Sequence, residues 1–192
     1  DVKSALRNRM NDLLAEPTPN TRGDAVQAQL VELTNNASQL ALLSDPGPDQ
    51  FEALSVQMQA LYAQITETVD PAQVDRLLSR LRSAARRTKA IDLPQAPAVG
   101  DFWLMTAELF DLNRTPLSVK AQREQAAAMM AEYLEDHPES GPSESVRTAY
   151  IELQKARGID LASDPLARDP RRNEDAAEPA DAQAEQNDAP QE

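Results

Sequence analysis

The sequence has no cysteine, a single histidine and only five glycines among its 192 residues. Without cysteine the chain cannot form a disulfide, a thiolate nucleophile or a cysteine-ligated metal site. One histidine leaves little for a serine–histidine catalytic pair, and the widely spaced glycines form no phosphate-binding loop. These absences predict that the chain is not an enzyme and that it holds no cofactor or metal ion.

Long apolar runs and aromatic residues are also scarce. No stretch approaches the roughly 20 apolar residues that a membrane-spanning helix needs, so we expect no membrane span. Aromatic residues make up 4% of the chain and hydrophobic residues 41%, which predicts a core made mostly of leucine, alanine, valine and methionine. The net charge of −13 disfavours nucleic acid as the main partner.

Glycine and proline divide most of the chain into segments that each have one apolar face. Because proline interrupts helices and glycine often ends them, we place helices at about 2–15, 24–44, 49–69, 71–91, 101–113, 117–136 and 143–157. Asp70 and Pro71 are typical of a helix start, and Gly158 followed by Ile159 is typical of a Schellman-type helix end. No segment alternates as a β-strand does. The predicted fold class is therefore all-α.

The third and fourth helices carry apolar residues at alternating steps of three and four, which is typical of helices that pack at shallow angles. These positions are Phe51, Leu54, Met58, Leu61 and Ile65, and then Val74, Leu77, Leu81, Ala84, Thr88 and Ile91. The alternative is an intermolecular coiled coil, but each run is shorter than about three heptads. An antiparallel helical bundle over 1–91 is therefore favoured, followed by a proline-containing connector over 92–100 and further helices over 101–160.

The end of the chain differs in composition from the rest. From about Ser163 onward the sequence is acidic, rich in alanine and proline, and almost without large apolar residues. Such a segment cannot bury enough surface to offset the entropy that it would lose on ordering. We therefore expect a disordered acidic tail over 161–192.

The sixth helix and the turn after it resemble the second helix of a tetratricopeptide repeat. The matching residues are Ala126, Met130, Leu134 and Pro138, and the phrase YLEDHPES is similar to a turn in tetratricopeptide-like proteins of the bacterial cell envelope. The resemblance covers about 101–157 and implies a tetratricopeptide-like helical pair in the periplasm or cell envelope. The chain also resembles, more faintly, helical segments of exported thioredoxin-like proteins, but without Cys-x-x-Cys no redox activity is implied.

Three aromatic residues are candidates for contact with a partner. Trp103 and Phe110 flank the apolar face of the fifth helix, and Tyr133 lies on the sixth. At helical spacing such rings usually belong to the core. The alternative is a groove between helices in which a partner helix or peptide docks on these rings.

The fourth helix is a second candidate surface because it carries six basic residues against the single acidic residue Asp75. The basic residues are Arg76, Arg80, Arg82, Arg86, Arg87 and Lys89. We name Arg76, Arg80 and Arg87 as candidate contacts for an anion or an acidic partner. The alternative, which we favour, is that these charges balance acidic neighbours or the acidic tail.

His137 raises the question of a metal site, because Glu132, Glu135, Asp136 and Glu139 are close to it in sequence. One histidine among flexible surface carboxylates lacks the preorganised geometry of metal sites. We interpret this group as an exposed helix end in front of a proline.

Together these features predict a non-enzymatic helical module for protein interaction or scaffolding, with a protein or peptide as its partner. Two alternatives stay open. The chain could be an accessory helical domain of a larger exported, thioredoxin-like protein. It could also bind an anion or nucleic acid through the basic helix at 71–91.

Overall fold

The computed structural model describes residues 1–15, 23–115 and 117–168, and within these ranges the fold is all-α, as predicted. The described α-helices are α1 (Val2–Ala15), α2 (Asp24–Leu43), α3 (Pro48–Glu67), α4 (Pro71–Lys89), α5 (Ala96–Leu112), α6 (Val119–Asp136) and α7 (Ser143–Ala156). A short 3-10 helix, Pro165–Ala167, follows α7. In the same ranges no residue is in a β-strand, and no helix is both long and apolar enough to cross a membrane.

Side-chain caps mark the starts of α4 and α6. The Asp70 carboxylate accepts a hydrogen bond from the Ala72 N–H at 3.1 Å, and Pro71 occupies the first turn. The Ser118 hydroxyl accepts one from the Ala121 N–H at 3.2 Å. Each cap gives a partner to a backbone donor that has none within the helix. The predicted helix start at Asp70 is confirmed.

The end of α7 depends on a glycine in the left-handed region. Gly158 has a φ of +74°, which glycine adopts without the steric cost that a Cβ would impose. The Ile159 N–H then donates to the Gln154 carbonyl at 3.1 Å, and the Gly158 N–H donates to the Lys155 carbonyl at 3.0 Å. This pair of hydrogen bonds is the Schellman motif that the sequence predicts.

Helix α3 lies at the centre of the fold and packs against α2, α4 and α5. On α3 the predicted inward positions from Leu54 to Ile65 are fully buried, whereas Phe51 is partly buried. The predicted inward positions from Val74 to Ile91 are buried as well. The alternation of three and four therefore identified the faces along which α3 and α4 bury their apolar side chains.

Helix α5 begins earlier than the sequence predicts. Residues 96–100, which the predicted connector at 92–100 includes, already belong to α5, with Pro97 in the first turn. Gly100 lies where α5 approaches α4, and a Cβ on it would be 3.1 Å from the Ala85 carbonyl oxygen. This glycine therefore allows close helix packing and does not interrupt a helix. Because α5 contacts α3, α4 and α6, it joins the first helices to the last ones.

The predicted tail also begins later than expected. The Tyr150 hydroxyl donates to the Asp164 carboxylate at 2.8 Å, and Arg147 Nε donates to the Leu166 carbonyl at 3.2 Å. Residues 164–166 thus pack on α7, which corrects the predicted boundary at 161. The rest of the predicted tail, 169–192, lies outside the described residues.

Candidate binding groove between helices α4 and α6

An open groove runs along helix α5. This helix packs against α4 on one side and α6 on the other, whereas α4 and α6, both described along their whole length, do not contact each other. Two neighbouring cavities, of about 140 Å³ and 420 Å³, lie between them and share Glu108 and Met129 as lining residues. Along α4 they extend from Leu78 to Lys89, about 16 Å at 1.5 Å per residue. We call this feature the α4–α6 groove.

The floor of the α4–α6 groove is apolar. It is formed by Leu104, Met105 and Leu112 of α5, with Leu78 of α4 and Met129 of α6 at its sides. Leu104 and Met129 are partly exposed, while the other three are buried. Because methionine side chains are unbranched and flexible, they fit apolar surfaces of varied shape. This floor can therefore receive an apolar face of another chain.

Charged residues form the walls of the groove. The lining contains five carboxylates and two cations, namely Asp101, Glu108, Asp111, Glu132 and Asp136, and Arg82 and Lys89. Arg82 Nη2 lies 2.9 Å from Glu108 Oε1, and Lys89 Nζ lies 2.8 Å from Asp101 Oδ1. Both cations of the α4 wall are thus paired with carboxylates of α5.

The other three carboxylates, Asp111, Glu132 and Asp136, form no ion pair with any residue in the described ranges. Glu132 and Asp136 are exposed and are four residues apart on α6, so they lie on one face of the helix. The charge that the groove leaves unpaired is therefore negative, and most of it lies on the α6 wall.

His137 lies at the end of α6, beside the groove. Its Nε2 is 2.9 Å from Asp101 Oδ2, and its ring centroid is 5.1 Å from that of Tyr133. Its side chain is only 15% exposed, so the predicted exposed helix end is wrong for this residue. Asp101 of α5 therefore contacts both Lys89, at the end of α4, and His137, at the end of α6. Nowhere in the described ranges do three or more His, Asp or Glu side chains form a group that could hold a metal ion.

Two of the aromatic candidates, Trp103 and Phe110, lie on the side of α5 that faces α3. Tyr62 of α3 lies between them, with its ring centroid 5.6 Å from that of Trp103 and 6.3 Å from that of Phe110. Both rings are partly buried, and neither is among the residues described as lining the α4–α6 groove. Packing between α3 and α5 accounts for these two rings.

Tyr133 is the one aromatic candidate that lines the described groove. It is only 4% exposed, and its hydroxyl lies 2.9 Å from Ser140 Oγ and donates to the Ala98 carbonyl at 3.4 Å. Burial raises the pKa of Tyr133 above the ordinary value for tyrosine. Tyr133 is therefore a buried part of the groove wall and not an exposed anchor.

The basic candidates Arg76, Arg80 and Arg87 lie outside the groove lining described above. Arg87 Nη2 donates to the Ala41 carbonyl at 3.0 Å, near the end of α2. Arg80 reaches Asn35 of α2 at 3.5 Å, and Arg76 Nε donates to the carbonyl one turn earlier in its own helix. Within the described ranges none of the three pairs with a carboxylate.

The α4–α6 groove was not predicted from the sequence, although one signal for it exists. Arg82 and Lys89 are one heptad apart on α4, and Asp101 and Glu108 are one heptad apart on α5. Opposite charges at matched spacing are expected to pair across neighbouring antiparallel helices. No comparable signal distinguishes Met129, because an apolar residue on an amphipathic helix is usually part of the core.

The resemblance to a tetratricopeptide repeat stays a prediction. Helices α6 and α7 do pack against each other, with the turn at 137–142 between them, but many helical pairs share this arrangement. Comparison with protein-family models, with curated proteins and with solved structures finds no match for this chain.

Proposed function

We propose that this chain is a non-enzymatic protein-interaction module and that the α4–α6 groove is its binding surface. The observation that supports the proposal is a groove about 16 Å long whose floor is apolar and whose α4 wall carries two ion pairs. Grooves of this kind, bounded by helices and floored by leucine and methionine, receive amphipathic helices in other proteins.

The packing of the three helices favours a ready-formed groove. Helix α5 packs on α4 and on α6, with a close approach to α4 at Gly100, and His137 connects the end of α6 to the Asp101 carboxylate. A partner that enters such a groove loses less binding free energy to rearrangement of the protein. An interaction or scaffold module benefits from such a ready-formed binding surface.

The proposal can be tested by site-specific photo-crosslinking. A benzoylphenylalanine at Gln125, which lines the groove, is compared with one at Glu124, which is also exposed on α6 but lies outside the groove lining. We expect a protein in an extract of the source cells to crosslink to position 125 and not to position 124. Equal crosslinking at both positions, or none at either, would contradict the proposal.

A second pair of variants tests whether the crosslink depends on the groove. Gln125→Trp places a large side chain in the groove, and Glu124→Trp places the same side chain outside it. With the photoreactive residue moved to Asp111, at the α5 side of the groove, Gln125→Trp should abolish the crosslink and Glu124→Trp should leave it. Circular dichroism of both variants checks that the helices remain folded.

One observation favours a second candidate function, the binding of an anion or of nucleic acid through α4. Arg76, Arg80 and Arg86 are exposed and, in the described part of the chain, lack carboxylate partners. The test is binding of a single-stranded RNA oligonucleotide to Arg76→Glu/Arg80→Glu, with Lys120→Glu/Lys155→Glu as the charge-matched control. Binding that only the first pair abolishes, and that added salt weakens, would support this function.

The third hypothesis, an accessory helical domain of a larger exported, thioredoxin-like protein, stays a prediction, as does a periplasmic or cell-envelope location. Both depend on the sequence resemblance alone. The full reading frame that encodes the chain tests them, because a thioredoxin-like domain or an export signal in the same frame would be visible at once.

A further inference from the structure

We infer that the segment bound in the α4–α6 groove is a short basic amphipathic helix of a partner protein, which places its apolar face on the groove floor and its lysine or arginine residues against α6. This inference rests on the proposed function, since it names the partner of the same groove. Three properties of the groove support it, namely its size, the polarity of its floor and the sign of its unpaired charge.

The size of the groove fits a helix of about three turns. Its length of about 16 Å corresponds to about 11 helical residues at 1.5 Å per residue. No Cα atom of α4 lies within 8 Å of one of α6, so a helix could lie on α5 between them at the usual packing distance of about 8–10 Å. An extended peptide is disfavoured because its unpaired backbone groups would face the apolar floor of Leu104, Met105 and Met129.

The charge of the groove determines the charge of the occupant. Arg82 and Lys89 are already paired with carboxylates of α5, whereas Asp111, Glu132 and Asp136 are not paired with any described residue. A helix with lysine or arginine along one edge would meet Glu132 and Asp136 one helical turn apart. An acidic helix would meet like charges there, which is unfavourable.

Residues 174–192 of this chain are a poor match for the groove for the same reason. Residues 174–192 contain seven carboxylate side chains and no lysine or arginine, so they would be repelled by the α6 wall. A second copy of the chain is also a poor match. Its most basic helix, α4, presents Arg76, Ser79, Arg80, Ser83 and Arg86 as exposed residues, and none of them supplies an apolar side chain for the floor.

The experiment uses the full chain and two fluorescein-labelled synthetic helices of about 14 residues. The two peptides share a leucine and alanine face and differ only at the polar positions, which are lysine in one and glutamate in the other. In fluorescence anisotropy titrations we expect the lysine peptide to bind at least about tenfold more tightly than the glutamate peptide. Its affinity should fall as NaCl is raised from about 50 to 500 mM. No binding of the lysine peptide would overturn the inference.

Charge-matched variants separate the groove from general attraction to an acidic protein. Glu132→Lys/Asp136→Lys reverses the α6 wall, whereas Glu135→Lys/Glu139→Lys makes the same change in net charge at exposed residues outside the groove lining. The first variant should lose the preference for the lysine peptide and bind the glutamate peptide better. The second should keep the preference of the wild-type protein. Equal loss in both variants would show that the attraction is not specific to the groove and would overturn the inference.

Two further results distinguish failure of the inference from failure of the proposed function. If a partner crosslinks to position 125 but its crosslinked segment is acidic or extended, the groove is a binding surface and the inference about its occupant is wrong. If sedimentation shows self-association that Glu132→Lys/Asp136→Lys abolishes, the occupant is a second copy and the inference is again wrong. Equal crosslinking at positions 125 and 124, or none at either, would instead remove the groove itself as a binding surface.

Discussion

Lys89 Nζ lies 2.8 Å from Asp101 Oδ1, and one heptad away on both helices Arg82 pairs with Glu108 at 2.9 Å. Arg82 precedes Lys89 on α4, whereas its partner Glu108 follows Asp101 on α5, so the two ion pairs show that these helices are antiparallel. Exposed ion pairs contribute little to stability. Their main consequence is electrostatic, because they neutralise the two cations of the α4 wall of the groove.

The first prediction concerns the strength of these pairs. The side chains of Arg82 and Glu108 are 47% and 32% exposed, so solvent screens their attraction. A double-mutant cycle with Arg82→Ala and Glu108→Ala should give a coupling free energy below about 1 kcal/mol, measured by urea denaturation. A coupling of several kcal/mol would mean that the pair is far less solvated than its exposure indicates.

The second prediction concerns the seam between α3 and α4. Leu61 and Leu81 are fully buried, while Leu42 on α2 is 69% exposed. Leu61→Asp and Leu81→Asp would each place a carboxylate without a partner in the core, which we expect to cost more than about 4 kcal/mol and to abolish cooperative unfolding. Leu42→Asp should retain the wild-type helicity and thermal midpoint. Near-native cooperativity in both core variants would contradict the packing described for α3 and α4.

The third prediction concerns the close approach of α5 to α4 at Gly100. Because a Cβ there would be 3.1 Å from the Ala85 carbonyl and 3.4 Å from Thr88 Cβ, Gly100→Val must push the helices apart. We expect a loss of about 1–3 kcal/mol in the free energy of unfolding. Gly141→Val is the matched control, since a Cβ at Gly141 meets nothing within 4 Å. Equal losses in the two variants would show that the cost arises from valine itself and not from the helix contact.

Local signals in the sequence predicted the fold better than they predicted the groove. Apolar spacing identifies the buried face of a helix, which is why the positions from Leu54 to Ile65 and from Val74 to Ile91 were placed correctly. Caps such as Asp70 and Gly158 were also predictable, because the hydrogen bonds that define them lie within a few residues of the chain.

Features that depend on contacts between distant residues were not predictable in this way. Gly100 was placed in the connector at 92–100, but its role depends on the distance to Ala85 on another helix. His137 was interpreted as exposed, but it pairs with Asp101, which is 36 residues away in the sequence. The groove was not predictable for the same reason, because it depends on the relative positions of three helices.

The fourth prediction concerns the segment that follows α7. Tyr150 and Arg147 hold residues 164–166 by the hydrogen bonds described above, and Leu166 packs on the apolar cluster between α6 and α7. A chain that ends after Asp160 should therefore have a thermal midpoint lower by several degrees. A chain that ends after Arg168 should match the full chain, because the sequence beyond it offers no large apolar side chain to bury. A lower thermal midpoint in the chain that ends after Arg168 would contradict the expectation that only the residues up to 168 pack on the helices.

The last prediction concerns alkaline pH. Burial is the main cause that raises the pKa of Tyr150, and the hydrogen bond to Asp164 raises it further; burial also raises the pKa of Tyr133. A tyrosine whose pKa is higher in the folded than in the unfolded state stabilises the fold through its neutral form. This contribution is fully present below the unfolded pKa of about 10 and is lost as the pH rises through the folded pKa.

The free energy of unfolding, measured in urea between about pH 8 and pH 11, should therefore decrease at the alkaline end of this range. In Tyr133→Phe/Tyr150→Phe the decrease should be smaller, because phenylalanine has no proton to lose, even though the variant is less stable at pH 8 through its missing hydrogen bonds. Lysines also lose protons in this range. The difference between the pH dependence of the wild-type protein and that of the variant therefore separates the contribution of the two tyrosines from that of the lysines. Parallel curves for the variant and the wild-type protein would mean that neither tyrosine titrates with a raised pKa in the folded chain.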